Sequence, residues 1–409
     1  MSSPASRPHA FLHPFSVPSK PEEEFISIAS ARGSVLRSTG GREYIDALGG
    51  LWYCQIGHGR SEMRDAIVAQ LDDVASYSTF DPFTNEPAAR LAEMVVARSP
   101  HPDGRVFLAS SGSEAIDTVL KLARLVHQLR GDTDRQIVVR RTHGYHGTNF
   151  GGTSAQGIAP NREGWGDLVP HFIEVPSDDV EALATVFATH GSRIAAVLTE
   201  PVQAAGGVIM PPDGYLEAAR RLCDEAGSLL IFDEVICGFG RTGNWFGAQT
   251  FGVVPDLITF AKGVTSGYLP MAGVILARSV CDVLEASGGL LRTGYTYSGH
   301  PTCAAAAIRN IEIIEDEDLV ARATDIGAQF EAGFAAMQGD GLIESHRGIG
   351  ALHAVELGRD AAMVRARMLD NGVVTRGIAT AIAVCPPLVI TGSEIATVLD
   401  VMSDALLSG

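Results

Sequence analysis

The middle of the chain alternates short apolar runs with stretches of helical periodicity, and this alternation limits the possible folds more than any other feature. The runs are rich in Val, Ile, Leu and Phe, and amphipathic segments separate them. Strands that alternate with helices favour a mostly parallel sheet covered by helices on both faces. We predict strands at Val106–Ala109, Ile137–Arg140, Ile194–Thr199, Leu229–Phe232, Leu257–Phe260 and Gly273–Ala277.

The segments on either side of this region predict a second, smaller domain. A chain of 409 residues exceeds what one hydrophobic core usually organises. Residues 1–50 are predicted to be an N-terminal arm and part of the small domain: roughly the first 30 are irregular and Pro-punctuated, and short strands follow around Ser34–Arg37 and Tyr44–Ala47. The pattern turns helical at Thr302 and becomes mixed from Gly348 onward. We therefore predict an α/β fold with a large domain over 51–300, a compact α+β domain over 301–409, and a cleft between them.

Charge and composition argue against several classes of function. The net charge of −17 would repel a phosphate backbone, and no Lys/Arg cluster is present, so we expect no nucleic-acid partner. The N-terminus lacks the apolar core of a signal peptide, and no apolar run reaches the roughly 18 residues of a membrane span. The six cysteines are scattered without a CxxC pair, which predicts no metal site, no disulfide framework and a cytoplasmic location.

A polar turn follows the first predicted strand and precedes an amphipathic helix. Its sequence is Ser111-Gly112-Ser113-Glu114, and the first and last of these residues fit a capping box. The free N–H groups of the first helical turn, the hydroxyls and the helix dipole would together favour a phosphate. An ordinary N-cap without a ligand explains the same residues, so the motif alone leaves both interpretations open.

Two further predicted strands are each followed by a residue with a reactive side chain, one a carboxylate and the other an amine. Asp233 follows Leu229–Phe232, and Lys262 lies 29 residues later (262 minus 233), just after Leu257–Phe260. The carboxyl ends of parallel strands meet at one edge of the sheet, where ligands of such folds bind. A carboxylate there can hold a protonated ring nitrogen, and an amine whose pKa is lowered by burial can form an imine.

The scarcity of lysine strengthens the case for Lys262. The chain has three lysines, Lys20, Lys121 and Lys262, against 28 arginines (31 basic residues minus 3). Most lysines in proteins are solvated surface cations, but this chain uses arginine for that purpose. Because arginine cannot form imines, a lysine flanked by small and apolar residues indicates a chemical role.

A glycine pattern nearby imitates a dinucleotide-binding fingerprint. The segment Gly238–Gly243 matches G-x-G-x-x-G, and Asp256 lies near the distance of the fingerprint's acid. The acidic pair Asp233-Glu234 stands just ahead of it and would repel a pyrophosphate. We also expect no helix to follow, because Asn244–Gly247 breaks the helical pattern. A nicotinamide or flavin site is therefore not expected.

The motifs together resemble, in order and spacing, those of the class III aminotransferases, especially the amine:pyruvate or omega transaminases. The likeness extends over most of the chain and implies the fold-type-I architecture of pyridoxal-phosphate enzymes. The main signature is Phe232-Asp-Glu-Val-Ile-Cys-Gly-Phe-Gly-Arg-Thr-Gly243, then Pro255-Asp-Leu-Ile-Thr-Phe-Ala-Lys262-Gly. Supporting motifs are Gly50-Leu-Trp52, His58-Gly-Arg60, Ser111-Gly-Ser-Glu-Ala115, His143-Gly-Tyr-His-Gly147, Glu200-Pro-Val-Gln203 and Tyr295-Thr-Tyr-Ser-Gly-His-Pro301.

The resemblance implies pyridoxal 5'-phosphate as cofactor and residues that hold it at two points. Ser111, Gly112 and Ser113 are expected to bind its phosphate. Lys262 is expected to hold it as a Schiff base and to move a proton between substrate and cofactor. Thr296 is expected to reach the phosphate of a neighbouring subunit. A homodimer with shared active sites, which could pair further into a tetramer, is thus the implied assembly.

The resemblance also implies how the pyridine ring is held. Tyr145 and Val235 are expected to cover its two faces, and Asp233 to pair with the ring nitrogen. Gln203 is expected to donate a hydrogen bond to the phenolic oxygen, and His146 to support the site from behind. Tyr145 and Gln203 also have an ordinary interpretation as core or interface side chains.

Substrate contacts follow less directly. Trp52 and Arg376 are expected to contact the substrate, with Arg376 gripping a carboxylate through its planar guanidinium. A surface arginine and a core tryptophan are the alternatives. Glu200, at the end of its own strand, is expected either to line the cleft or to pair with an arginine. The first 30 residues are expected to wall the cleft.

The implied activity is ping-pong transfer of an amino group from a primary amine or omega-amino acid to pyruvate or a similar 2-oxo acid. Within the family, a 4-aminobutyrate or diamine:2-oxoglutarate transaminase, an aminomutase and a decarboxylase stay open. Outside it, a non-catalytic protein on the same fold and a nicotinamide dehydrogenase are the alternatives. The intact pair of Asp233 and Lys262 argues against a non-catalytic role.

Overall fold

A computed structural model describes residues 10–408 of the chain. Its strands are β1 Ile28–Arg32, β2 Val35–Ser38, β3 Glu43–Asp46, β4 Arg105–Ala109, β5 Ile137–Arg141, β6 Phe172–Val175, β7 Ile194–Thr199, β8 Leu229–Asp233, β9 Leu257–Phe260, β10 Ala272–Leu276, β11 Ser345–Ile349, β12 Leu352–Glu356, β13 Val373–Val374, β14 Arg376–Ile378 and β15 Ala381–Val384. Its helices are α1 Gly49–Trp52, α2 Ser61–Val74, α3 Glu86–Arg98, α4 Gly112–Arg130, α5 Phe150–Ala155, α6 Val180–His190, α7 Tyr215–Ala226, α8 Gly247–Thr250, α9 Arg278–Ala286, α10 Pro301–Asp316, α11 Leu319–Gly339, α12 Ala362–Asp370 and α13 Gly392–Leu407.

The seven central strands form one sheet in the order β4-β10-β9-β8-β7-β5-β6. Strand β10 is antiparallel to both of its neighbours, and the other paired strands run parallel. The predicted mostly parallel α/β sheet is therefore confirmed. All six predicted central strands are present within one residue of their predicted ends, and β6 was not predicted.

Burial explains why this sheet sits at the centre of the molecule. Every residue of β7, β8, β9 and β10 is buried, as expected for strands covered on both faces. Helix α4 covers one face through apolar residues that recur at helical spacing and pack with the sheet in one core cluster. The carboxyl ends of β4, β5, β7, β8 and β9 consequently open on one edge, which concentrates the polar turns after them.

Two smaller sheets flank the central one. The first has the order β1-β2-β3-β13 and the second the order β11-β12-β15-β14. Strand β13 runs parallel to β3, so that Val373 lies beside Ile45 and the two ends of the chain share a sheet. The proposed division at residues 51–300 and 301–409 stays a prediction. No helix among residues 10–408 is long and apolar enough to cross a membrane.

The N-terminal arm and the glycine-rich segment each differ in detail from expectation. Regular structure starts within the first 30 residues, with a 3₁₀ turn at Glu22–Glu24 and β1 from Ile28. The segment Gly238–Gly243 forms buried turns, and the four-residue helix α8 begins at Gly247, where no helix was expected. Its first two N–H groups are occupied by the buried carboxylate of Glu234 rather than by a ligand.

Candidate active site

Lys262 occupies a strained turn at the end of β9. Its φ of 44° lies in the left-handed region that side chains rarely adopt. Within residues 10–408 its amino group forms no hydrogen bond and no ion pair. Burial lowers the pKa of Lys262, and the nearby carboxylates of Asp233 and Glu200 oppose that shift. The turn thus presents an amine that burial makes easier to deprotonate.

A network of buried polar groups holds this turn in place. Asn310 of α10 donates to the carbonyl oxygens of Gly263 and Val264, at 2.9 and 3.0 Å. Its own amide oxygen accepts a 2.5 Å hydrogen bond from the Ser266 hydroxyl. The Ser266 oxygen in turn accepts the backbone N–H of Gln55. The lysine turn is therefore tied to α10 and to the loop after α1.

Asp233 ends β8 and is oriented by three neighbours. One carboxylate oxygen lies 2.8 Å from Nδ1 of His146, a buried contact. The other accepts from the Thr259 hydroxyl at 3.0 Å and from the Val235 backbone N–H at 3.2 Å. This arrangement fixes the carboxylate at the strand end.

Glu200, which follows β7, joins two loops of the site. Its carboxylate accepts the backbone N–H of Tyr145 at 2.9 Å and that of Ala204 at 3.3 Å. Burial raises the pKa of Glu200 to about 7, with Asp233 adding to the rise. No arginine lies within ion-pair distance of Glu200 in the described part of the chain, although its charge interacts with the nearby Arg141 guanidinium. Glu200 holds the backbone of Tyr145 in position by accepting its N–H.

The polar turn before α4 retains unused hydrogen-bond donors. The Ser111 hydroxyl accepts from the backbone N–H of Glu114 at 3.2 Å, as predicted for an N-cap. The Glu114 carboxylate accepts the N–H of Ser110, one residue earlier than a capping box requires. The N–H groups of Gly112 and Ser113 have no partner within residues 10–408. Two donors therefore face the site at the positive end of a 19-residue helix.

Close packing places this turn next to the lysine strand. A Cβ added to Gly112 would lie 3.3 Å from both methyl carbons of Val235 and 3.6 Å from the Cβ of Ala261. The Ser113 hydroxyl accepts the backbone N–H of Thr148 at 3.0 Å. The structure thus brings together the predicted phosphate turn, the predicted ring contact and the residue before the lysine.

Gln203 has unused hydrogen-bonding capacity that a polar ligand could satisfy. Its side-chain nitrogen donates to the Thr142 carbonyl oxygen at 2.7 Å, but its buried amide oxygen has no partner among the described residues. Buried polar groups are normally satisfied, so an amide with unused capacity marks a place where a ligand completes the bonding. The free N–H groups, the amine and this amide together fit a phosphate-bearing aromatic aldehyde.

A family model for class III aminotransferases matches residues 17–406. The chain belongs to the class III aminotransferases. It is similar to the putrescine–pyruvate aminotransferase of Pseudomonas aeruginosa, with 33% identity over 399 residues that cover 90% of this chain and 87% of that protein. Members of this family depend on pyridoxal 5'-phosphate, which is the cofactor of this enzyme.

Solved structures of transaminases share the whole architecture. The transaminase of the marine bacterium Virgibacillus has a TM-score of 0.95 and 34% identity, covering 98% of this chain and 97% of that one. An amine transaminase from an uncultivated Pseudomonas species, with PLP bound, has a TM-score of 0.92 and 32% identity, covering 98% and 99%. The predicted fold type, enzyme class and cofactor are thereby confirmed.

The remaining predicted residues of this aminotransferase lie in three different settings. Trp52 is buried in an apolar cluster with Val202 and Ile236. Arg376 begins β14 and is close enough to Tyr145 for each to shift the other's pKa. Thr296 is exposed and forms no hydrogen bond within residues 10–408. Their roles stay predictions.

Sequence analysis did not identify the buried polar groups that hold the lysine turn in place. Asn310, Ser266 and Gln55 carry no motif of their own, and their partners are distant in sequence. Asn310 lies between Arg309 and Ile311 in α10, so its polarity does not distinguish it from the charged residues beside it. Such a residue is usually buried with partners, but the sequence does not say which.

Proposed function

We propose that this enzyme transfers an amino group from a primary amine or omega-amino acid to pyruvate or a similar 2-oxo acid in two half-reactions at one site. The observation that carries the proposal is the desolvated Lys262 amine, free of hydrogen bonds, at the sheet edge that also holds Asp233. The named activity of the Pseudomonas aeruginosa relative supports the choice of amine donor and pyruvate acceptor.

The side chains divide the work by their chemistry. When bound, pyridoxal phosphate supplies an electron sink for the substrate carbon. Asp233 holds the proton on the ring nitrogen, and His146 keeps the Asp233 carboxylate oriented. Lys262 takes and returns the substrate proton, a task that burial assists by lowering its pKa. Tyr145 covers one face of the ring, where Glu200 fixes its backbone.

The remaining contacts hold phosphate and substrate. Gly112 and Ser113 donate their free N–H groups to the phosphate, and the Gln203 side-chain NH₂ group donates its second hydrogen to the phenolic oxygen. Arg376 binds the carboxylate of the 2-oxo acid, since a guanidinium forms bidentate hydrogen bonds with carboxylates. Its proximity to Tyr145 supports this placement.

The decisive experiment is a panel of amine donors with pyruvate, followed as alanine formation. We expect primary amines and omega-amino acids to support turnover. Replacing pyruvate with 2-oxoglutarate tests the closest alternative, and carbon dioxide or an internally shifted amine would identify a decarboxylase or an aminomutase. Absence of alanine with every donor would contradict the proposal.

We further propose a homodimer as the smallest active unit. Two segments of the chain expose large apolar side chains side by side, and they are joined by the 2.8 Å hydrogen bond from Thr79 to the Ser298 carbonyl oxygen. Exposed apolar surface of this extent favours a protein partner, and Thr296 lies within it. The exposed side chains are Leu71, Val74, Tyr77, Phe80, Phe83, Leu290, Leu291 and Tyr297.

Sedimentation velocity tests the assembly, and cofactor binding tests the shared site. We expect a dimer or tetramer, and we expect Thr296→Ala to weaken pyridoxal-phosphate affinity. A monomer with full activity would contradict this proposal. We also infer a reducing cytoplasm as the location, because all six cysteines are buried and unpaired.

A further inference from the structure

A groove of about 1040 Å³ between the N-terminal arm and α12 is basic in an acidic protein. Lys20 lines it from the arm, and Arg365 and Arg376 line it from the opposite side. Asp360 is the one acid among its lining residues in the described part of the chain. The chain as a whole has a net charge of −17, but this groove is lined by three cations and one acid. Its local charge is therefore positive, which favours an anionic ligand.

The two arginines of this groove lie side by side without a carboxylate partner. Arg365 packs over Gly377, the residue after Arg376, since a Cβ there would lie 3.3 Å from the Arg365 Cδ. Neither guanidinium forms an ion pair or hydrogen bond within residues 10–408. Burial lowers the pKa of Arg376, and Arg365 lowers it further. Like charges so close repel each other, and a bound anion would remove that cost.

Arg376 links this groove to the predicted catalytic residues. Arg376 interacts electrostatically with the Tyr145 phenol on one side and with Arg365 on the other. Tyr145 is bonded to Glu200, which interacts with Lys262. Both Arg376 and Arg365 are exposed, and of the two only Arg376 influences the Tyr145 phenol. The pairwise interactions therefore connect Lys262, Glu200, Tyr145, Arg376 and Arg365 in that order.

We propose that Arg365 is a second carboxylate-binding residue, which binds the distal carboxylate of omega-amino acid donors too long to end at Arg376. The inference rests on the proposed function, because the donor amine must reach Lys262 while its chain extends outward. A short donor places its carboxylate near Arg376, and each added methylene moves it toward Arg365. The rings of Phe15 and Phe25, which line the groove, offer apolar contact to those methylenes.

The test is a donor series with and without a carboxylate. We compare β-alanine, δ-aminovalerate and ε-aminocaproate with hexylamine, using pyruvate as acceptor. In Arg365→Gln we expect kcat/KM for ε-aminocaproate to fall about tenfold, through loss of one charge-assisted contact. Values for β-alanine and hexylamine should stay unchanged. Arg365→Lys keeps the charge and should retain part of the long-donor activity.

Arg367→Gln is the matched control, because it removes the same charge from the same helix outside the groove. Arg367 donates instead to the Ala405 carbonyl oxygen of α13. Unfolding midpoints of all variants show whether the fold is intact. An equal loss for every donor in Arg365→Gln, or no loss for any of them, overturns the proposal.

Binding of hexanoate to the holoenzyme separates this proposal from the proposed function. Hexanoate has the carboxylate but no amine, so calorimetry reports on the groove without turnover. We expect Arg365→Gln to weaken hexanoate binding about tenfold, as for the donor. If the substitution weakens hexanoate binding but the enzyme forms no alanine with any donor, carboxylate binding by Arg365 stands and the transaminase activity is refuted. Binding unaffected by the substitution would overturn the role of Arg365.

Discussion

Lys262 differs from the other two lysines of the chain in what surrounds its amino group. The Lys20 ammonium stands 4.5 Å from the centre of the Phe25 ring, and the Lys121 ammonium donates to the Thr293 hydroxyl at 2.6 Å. Both of these cations have a partner that stabilises the charged form. Burial lowers the pKa of Lys262, and its amine forms no hydrogen bond within residues 10–408, which is the condition a nucleophilic amine needs.

Replacing this amine tests its role directly. We expect Lys262→Ala and Lys262→Arg to abolish transamination, because neither side chain can form an imine. Both variants should lose the visible absorbance of lysine-bound pyridoxal phosphate while keeping a wild-type circular dichroism spectrum. Lys121→Ala removes a lysine elsewhere and should keep activity and absorbance. Alanine formation by Lys262→Ala at the wild-type rate would refute the assignment.

We propose that His146 influences the cofactor through its contact with Asp233. His146→Ala removes the 2.8 Å contact to the Asp233 carboxylate, which leaves that group buried with two partners. A hydrogen bond to a charged group is worth about 1.5–3 kcal/mol, so we expect kcat to fall by roughly ten- to a hundredfold. The measurement is kcat together with the dissociation constant of pyridoxal phosphate. An unchanged kcat would show that Thr259 and Val235 are sufficient to orient the Asp233 carboxylate without His146.

At the scale of elements, the position of the lysine depends on a helix far away in sequence. Asn310 lies on α10, and its two bonds reach carbonyl oxygens 46 and 47 residues earlier. Strained backbone persists only where its surroundings enforce it, and this helix enforces the turn at Lys262. The packing of α10 is therefore coupled to the geometry of the lysine turn.

Asn310→Ala should loosen this coupling. The substitution leaves the Val264 carbonyl oxygen and the Ser266 hydroxyl without the partner Asn310 provides, while the Gly263 carbonyl oxygen keeps the backbone N–H of Ser266. We expect the free energy of unfolding to drop by about 2–5 kcal/mol, since each buried unsatisfied group costs roughly 1–3 kcal/mol. We also expect kcat to fall more than KM rises. Asn371→Ala is the control, because Asn371 is exposed and bonds one carbonyl oxygen near its own helix.

The predictability of the elements follows their burial. Strand β7 was predicted at its exact ends because all six of its residues are buried and apolar or Thr. Strand β6 was missed because it is the last strand of the sheet and carries the exposed Glu174 between apolar residues. The sequence located Lys262 and Asp233 through the strands they end. It could not locate Asn310, since a long-range hydrogen bond leaves no local pattern.

At the scale of the whole molecule, buried carboxyls make stability depend on pH. Burial raises the pKa of Glu234 to about 7 from an ordinary 4.5, against the opposing bonds from Ala248 and Gly247. Burial raises the pKa of Glu200 to a similar value. Between pH 4.5 and 7 the folded state thus holds more protons at these groups than the unfolded chain does. Their contribution to stability must therefore fall as the pH rises through this window.

Glu234→Gln should remove one of these contributions. We expect the variant to be less stable overall, because an amide cannot accept both N–H groups at the start of α8. Its unfolding free energy should nonetheless fall less than that of wild type between pH 4.5 and 7. The difference between the two denaturation series isolates this carboxyl from the exposed acids. Parallel curves across the window would show that Glu234 does not titrate there.

The parallel pairing of β3 with β13 has a consequence for how the protein is made. Val373 lies beside Ile45 in that sheet, 328 positions later (373 minus 45). Ribosomes deliver the N-terminus first, and nascent domains fold as they emerge. The first strands must therefore wait, with one edge uncovered, until nearly the whole chain has been synthesised. Arg376 lies two residues after β13, so the groove that it lines is assembled in the same late event that pairs β13 with β3.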